Sequence, residues 1–235
     1  TIHGTNGQLT TPQKPIFVGN SASSLRLLTA ISTLANGKTI ITGEKRLKER
    51  PIEDLQDVLQ QKEIHTGGEI KIRGDISSQY ISALLVIAPF AKRAVKITIE
   101  KDLLSKPYVA LTIDVMKKFG INVKNNNFKN LIVESGQRYQ GRKYIVEGDY
   151  SSASYFFAAK ALTKGNITVK NLNSKSKQGD KEFLQILKQM GYPKKLKGLT
   201  VDMNNYPDIV QTTAVVAAFA KGTTTLRNIA HLKNK

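Results

Sequence analysis

The chain has 235 residues, no cysteine, three histidines and a formal charge of +18. Without cysteine there is no disulfide, thiolate nucleophile or cysteine metal site, and His3, His65 and His231 show no ligand spacing, so no metal site is expected. No apolar run approaches the roughly 18 residues of a membrane span, and the opening TIHGTNGQLT lacks a signal-peptide pattern, so a cytoplasmic protein off the membrane is expected. The positive charge points to an anionic partner. Because the lysines are spread along the chain with no basic block, nucleic acid is disfavoured, and charge alone leaves a phosphorylated metabolite, an acidic surface or simply a solvated lysine-rich surface open.

Four segments share one pattern in chain order: a polar turn, about a dozen apolar residues of helical character, then a β-branched strand. They open at Gly19 (GNSASSLRLLTAISTLANG), Gly74 (GDISSQYISALLVIAPFA), Gly148 (GDYSSASYFFAAKALTKG) and Asn204 (NNYPDIVQTTAVVAAFAKG). Their strands are expected over Lys38–Thr42, Val95–Ile99, Asn166–Val169 and Thr223–Leu226. Amphipathic helices are expected between them, over Pro51–Gln61, Tyr108–Phe119 and Lys181–Met190. Alternating helices and strands argue for an α/β protein of repeated units.

The pairs Ser23-Ser24, Ser77-Ser78 and Ser151-Ser152, with Pro207-Asp208 in the fourth copy, fall where helix N-caps belong. One such pair is ordinary capping. Four of them offer several helix N-termini whose free N–H groups and positive dipoles suit phosphate and carboxylate. Ser77 to Ser151 spans 74 residues, whereas Ser23 to Ser77 spans 54 and Ser151 to Pro207 spans 56. The two short intervals, together with helices that run abruptly into KEIHTGG and YPKK, predict spatial breaks near Gln61-Lys62 and within Gly191–Lys195.

Several motifs are specific. Gly19-Asn20-Ser21-Ala22-Ser23-Ser24-Leu25-Arg26 is followed by Arg46-Leu47-Lys48-Glu49-Arg50-Pro51-Ile52, Ser77-Ser78-Gln79, Ser105-Lys106-Pro107-Tyr108, Gly148-Asp149-Tyr150-Ser151-Ser152, Gln178-Gly179-Asp180 and Pro207-Asp208. In this order the motifs resemble EPSP synthase, of the enolpyruvyl transferase family. The resemblance covers essentially every residue of a chain only somewhat over half as long as a family member. The family's N-terminal Lys-Ser and Arg cluster, its Glu-x-Asp-Arg motif and its later Arg and Lys have no counterpart in these residues.

The resemblance implies an incomplete two-domain α/β fold of repeated helix-on-sheet units, an inside-out α/β barrel. Residues 1–147 would form most of one substrate-binding domain and 148–235 part of the second, closing over a cleft. It implies transfer of the enolpyruvyl group of phosphoenolpyruvate to the 5-hydroxyl of shikimate-3-phosphate, without a cofactor, by a monomer. Asn20, Ala22, Arg50 and Gln79 would bind phosphoenolpyruvate, with Ser23 lining the same pocket and Arg26 bracing the loop. Ser77, Ser78, Gln79, Ser105, Tyr108, Asp208, His231 and Lys235 would bind shikimate-3-phosphate, and Asp208 would act as general base. Ala22 stands where many relatives carry glycine, so glyphosate is expected to be a weak inhibitor. The alternatives are the sister transferase acting on UDP-N-acetylglucosamine, which commonly uses a cysteine absent here, and a non-enzymatic anion- or nucleic-acid-binding domain.

Overall fold

The computed structural model describes residues 2–230 and 232, so His231 and Lys235 lie outside the described residues. The chain divides into two compact units, one ending at Lys143 and the other starting at Tyr144.

In the first unit, β1 (Ile16–Phe17) pairs in parallel with β2 (Ile41–Thr42), and α1 (Ala22–Ser32) connects them. Short helices α2 (Lys45–Lys48), α3 (Glu53–Leu59) and α4 (Glu63–Thr66) lead to β3 (Gly68–Arg73), α5 (Ser78–Ile87), β4 (Val95–Glu100), α6 (Lys106–Lys118), β5 (Val123–Asn126) and β6 (Asn130–Val133). The last four strands form one sheet in the order β3-β4-β6-β5, with β3 and β4 parallel, Ile70 opposite Ile97, and the other pairs antiparallel. Ile70, Ile72, Val95, Ile97 and Ile99 face the core while Glu69, Lys71 and Arg73 do not, the alternation expected of a sheet covered on one face. Helix α5 is apolar nearly all round and correspondingly buried along most of its length, packed against α1 and α6. Burial of each large side chain such as Leu84 or Leu85 contributes about 1.5–3 kcal/mol relative to exposure.

This topology decides where helices begin. A parallel pair needs a crossover, so α5 and α6 both start beyond the carboxyl ends of β3 and β4, where ligands of parallel sheets collect. Gly74 ties the two loops together: its N–H donates to Glu100 O at 2.8 Å and its oxygen accepts from Leu104 N–H at 3.1 Å. A Cβ there would meet the Leu103 Cα at 2.9 Å, so only glycine fits.

The second unit contains α7 (Tyr150–Thr163), α8 (Glu182–Gln189), β7 (Thr200–Asp202), α9 (Val210–Ala218) and β8 (Thr225–Arg227), with β7 and β8 parallel. Phe183, Ile186, Leu187, Met190, Met203 and Val216 form its core, and Ser154 and Thr212 share a buried hydroxyl hydrogen bond of 3.0 Å between α7 and α9.

Several sequence expectations are corrected. Asn166–Val169 is not a strand: no ladder pairs it among the described residues, Gly148 N–H donates instead to Asn171 O at 2.7 Å, and Asn171 at φ +62° turns the chain away. The first strand is confined to Ile41–Thr42. The cap of α1 is Ser21 and that of α7 is Asp149, which accepts from the N–H groups of Ser151 and Ser152; Ser77 does cap α5. Asp208 lies inside a single 3-10 turn, Pro207–Ile209, rather than at the cap position of α9. The expected breaks are absent. Hydrogen-bonded turns run through both places, with His65 N–H to Lys62 O at 3.0 Å and Lys194 N–H to Gly191 O at 2.9 Å.

Candidate functional site

The candidate site residues of the first unit lie at the N-termini of α1, α5 and α6 and in the loop between α2 and α3. The turn after β2 approaches the loop before α1 closely: Glu44 N–H donates to Gly19 O at 3.0 Å, and a Cβ on Gly43 would lie 2.4 Å from that oxygen. The Asn20 loop and the Arg46–Ile52 segment are thereby held side by side. Asn20 is exposed and Ala22, the first residue of α1, is buried.

Arg26 occupies the buried stripe of α1 with Ala22 and Ala30, one turn away on either side. The small neighbours leave room for its side chain to reach α5. It donates to Gln79 Oε1, to Ser77 Oγ at 3.4 Å and to Pro51 O at 3.2 Å, and lies 5.0 Å from the centre of the Tyr80 ring. Its Nε has no hydrogen-bond partner, and all its partners are neutral. Burial pushes the Arg26 pKa down; the Tyr80 side chain opposes this and the nearby Arg50 charge reinforces it. A guanidinium keeps its proton in proteins, so the unit holds a buried cation that pairs with no carboxylate among the described residues.

Arg50 is half-buried, and the two acidic neighbours that could neutralise it are engaged elsewhere. Glu49 pairs with Arg46 at 2.9 Å, and Glu53 accepts from Ile52 N–H at 2.8 Å. Among the described residues no carboxylate pairs with Arg50. It borders a cleft of about 470 Å³ walled by Leu25, Thr29, Leu47, Ile52 and Gln56. A larger cleft of about 890 Å³, beside Phe90 and Tyr139, contains none of the sequence-predicted residues.

Ser77 accepts from Gln79 N–H at 3.3 Å, and Gln79 Nε2 donates to Ser23 Oγ at 2.8 Å. Ser78 is buried in the first turn of α5. Ser105 precedes α6, buried, at φ +55° and without a capping bond, a left-handed conformation that costs a non-glycine residue about 1–3 kcal/mol. Tyr108 is half-buried in the first turn of α6. The α5 and α6 helices are tied by the 2.8 Å hydroxyl contact of Ser82 with Thr112.

In the second unit, Asp208 is half-buried in its 3-10 turn. Gln178, which the motif matching had grouped with the others, has a structural duty: it accepts from Tyr150 N–H at 2.8 Å and donates to Glu147 and Gly148 O at 2.9 Å each. Tyr80 was missed as part of the site. Its only sequence signal was a large polar aromatic within an otherwise aliphatic helix.

The family model described as EPSP synthase (3-phosphoshikimate 1-carboxyvinyltransferase) matches residues 1–235. The chain is 41% identical over 261 residues to the 3-phosphoshikimate 1-carboxyvinyltransferase of Pseudoalteromonas translucida, covering 97% of this chain and 61% of that protein. It is 40% identical over 262 residues to the enzyme of that name from Methanocaldococcus jannaschii, with the same coverage. The chain thus spans about 61% of the length of these curated relatives. Since 97% of 235 residues is about 228, about 33 of the 261 positions aligned with the Pseudoalteromonas protein have no residue here, so the chain is shortened internally relative to it. The structure of EPSP synthase from Acinetobacter baumannii superposes with a TM-score of 0.68 at 21% identity, over 92% of this chain and 57% of that one, which shows a shared fold.

Proposed function

We propose, from the premise that the chain belongs to the EPSP synthase family, that it carries part of the site that transfers the enolpyruvyl group of phosphoenolpyruvate to the 5-hydroxyl of shikimate-3-phosphate. The observation that carries this reading is the pairing of Glu49 with Arg46 and of Glu53 with its own helix start, which leaves Arg50 without a carboxylate beside the buried Arg26. Two neighbouring guanidinium groups with no acidic partner among the described residues favour a ligand rich in carboxylate and phosphate oxygens, and the forked geometry of Arg50 suits both.

In this reading Asn20, Ala22, Arg50 and Gln79 form the phosphoenolpyruvate side. Ser77, Ser78, Gln79, Ser105 and Tyr108 hold shikimate-3-phosphate, the N-termini of α5 and α6 supplying N–H donors. His231 and Lys235 belong to the same proposal on sequence grounds alone. Asp208 takes the proton of the 5-hydroxyl as its oxygen attacks C2 of phosphoenolpyruvate. The methylene carbon gains a proton to become a methyl group, and the resulting tetrahedral adduct loses phosphate from C2 and a proton from that methyl carbon, which re-forms the double bond of the enolpyruvyl ether. Fixed positive charge around the phosphates stabilises the departing dianion.

A cytoplasmic monomer without a cofactor belongs to the same reading. So does weak inhibition by glyphosate, which the Ala22 methyl group obstructs and which Ala22→Gly would make tighter. The test is phosphate release by the protein with both substrates present. Release that stops when either substrate is omitted is expected; no release, with no binding of either substrate, overturns the reading.

A further inference from the structure

Arginine has only donors, so the Gln79 side-chain atom facing Arg26 has to be the amide oxygen. The amide nitrogen is then committed to the other side, where it donates to Ser23 Oγ at 2.8 Å, joining residues 56 apart in sequence. Ser23 Oγ is consequently an acceptor toward Gln79, and its own hydrogen must point elsewhere. Among the described residues that hydrogen has no acceptor, and Ser23 is exposed in the first turn of α1. Were the amide reversed, the Ser23 hydroxyl would donate inward to Gln79 and present lone pairs to any anion at the helix end.

We infer that Arg26 is a positioning residue: by fixing the Gln79 amide it turns the Ser23 hydroxyl into an outward donor for an anionic oxygen of phosphoenolpyruvate. The inference rests on the functional reading above and adds Ser23 as a ligand-touching residue and Arg26 as the group that sets its polarity. The three side chains form a one-way relay, since each donor is fixed by the one before it.

The test is calorimetric titration of phosphoenolpyruvate into the full chain, the Ser23→Ala and Gln79→Glu variants, and the double variant. Ser23→Ala removes a charge-assisted hydrogen bond and is expected to weaken binding about tenfold, leaving shikimate-3-phosphate affinity and the thermal midpoint unchanged. Glutamate at 79 still accepts from Arg26 but offers Ser23 a second acceptor, which draws the hydroxyl hydrogen inward. In that background Ser23→Ala is expected to cost less than about twofold, a non-additivity that a purely structural role would not produce. Neutron diffraction from the deuterated chain should place the Ser23 deuterium away from Gln79. An equal loss in both backgrounds, phosphoenolpyruvate binding that ignores Ser23→Ala, or a deuterium directed at Gln79 overturns the inference while the functional reading survives. If the unsubstituted chain binds no phosphoenolpyruvate, the functional reading fails, and the assignment of Ser23 to that ligand fails with it.

Discussion

Tyr80 donates its phenolic hydrogen to the carbonyl oxygen of Pro51 at 2.6 Å, and Arg26 donates to the same oxygen at 3.2 Å. A helix in the core thus grips the peptide next to Arg50 from beneath. Burial raises the Tyr80 pKa, which keeps the hydroxyl protonated and donating. Tyr80→Phe should lower stability by about 1 kcal/mol, the usual net value of one hydrogen bond whose acceptor keeps a second donor, as read by urea denaturation. It should also weaken phosphoenolpyruvate several-fold by loosening Arg50. Unchanged stability would show that Arg26 alone holds the carbonyl.

Arg50→Lys should weaken phosphoenolpyruvate about ten- to hundredfold and shikimate-3-phosphate much less, because lysine cannot make a two-pronged contact. Separate titrations of the two ligands check this, and an equal loss for both would move Arg50 out of the phosphoenolpyruvate side.

Glu49 is kept from Arg50 by its partner Arg46, an exposed pair of 2.9 Å. Arg46→Ala should free Glu49 to turn toward Arg50 and reduce phosphoenolpyruvate affinity a few-fold at low salt, an effect screened at high salt. Adding Glu49→Gln should restore it. Failure of that rescue would assign the loss to Arg46 itself.

Asp208→Asn should leave both ligands bound and cut turnover by about 10²-fold or more, since it removes a base while keeping its shape. A near-normal rate in the phosphate-release assay would reduce Asp208 to a structural residue of its turn.

Asp75, after β3, accepts from Arg73 at 3.0 Å through both oxygens and from Lys101 at 3.2 Å. The Arg73 hydrogen bonds, first among the causes, hold its pKa below the usual carboxylate value. A depressed folded-state pKa stabilises above the unfolded value of about 3.9 and is lost as pH falls through the folded value. Asp75→Asn should therefore lower the thermal midpoint at pH 7, and the gap to the unsubstituted chain should close once the pH has fallen below the folded value. A gap that persists there would show that the carboxylate charge is not its source.

The sequence alone determined what local chemistry determines. Apolar runs opened by polar turns gave four helices at their expected places, and the glycines at 19 and 74 marked turns that need special backbone or tolerate no Cβ. Contiguous motifs such as Ser77-Ser78-Gln79 and Glu49-Arg50-Pro51 were legible because their residues act from one stretch of chain. Tertiary structure decided what depends on partners distant in sequence. A strand forms only if a neighbour offers a ladder, so Asn166–Val169 stayed irregular although its β-branched pattern matched that of Val95–Ile99. Whether Arg50 is neutralised depended on where Glu49 and Glu53 turned, and both are close enough in sequence for either outcome. The sequence motif gives Arg26 the bracing of its loop but not its burial as a cation. Its role comes from the packing of α1 on α5, which brings Gln79, Ser77 and Pro51 within reach and removes the water that would otherwise have solvated it.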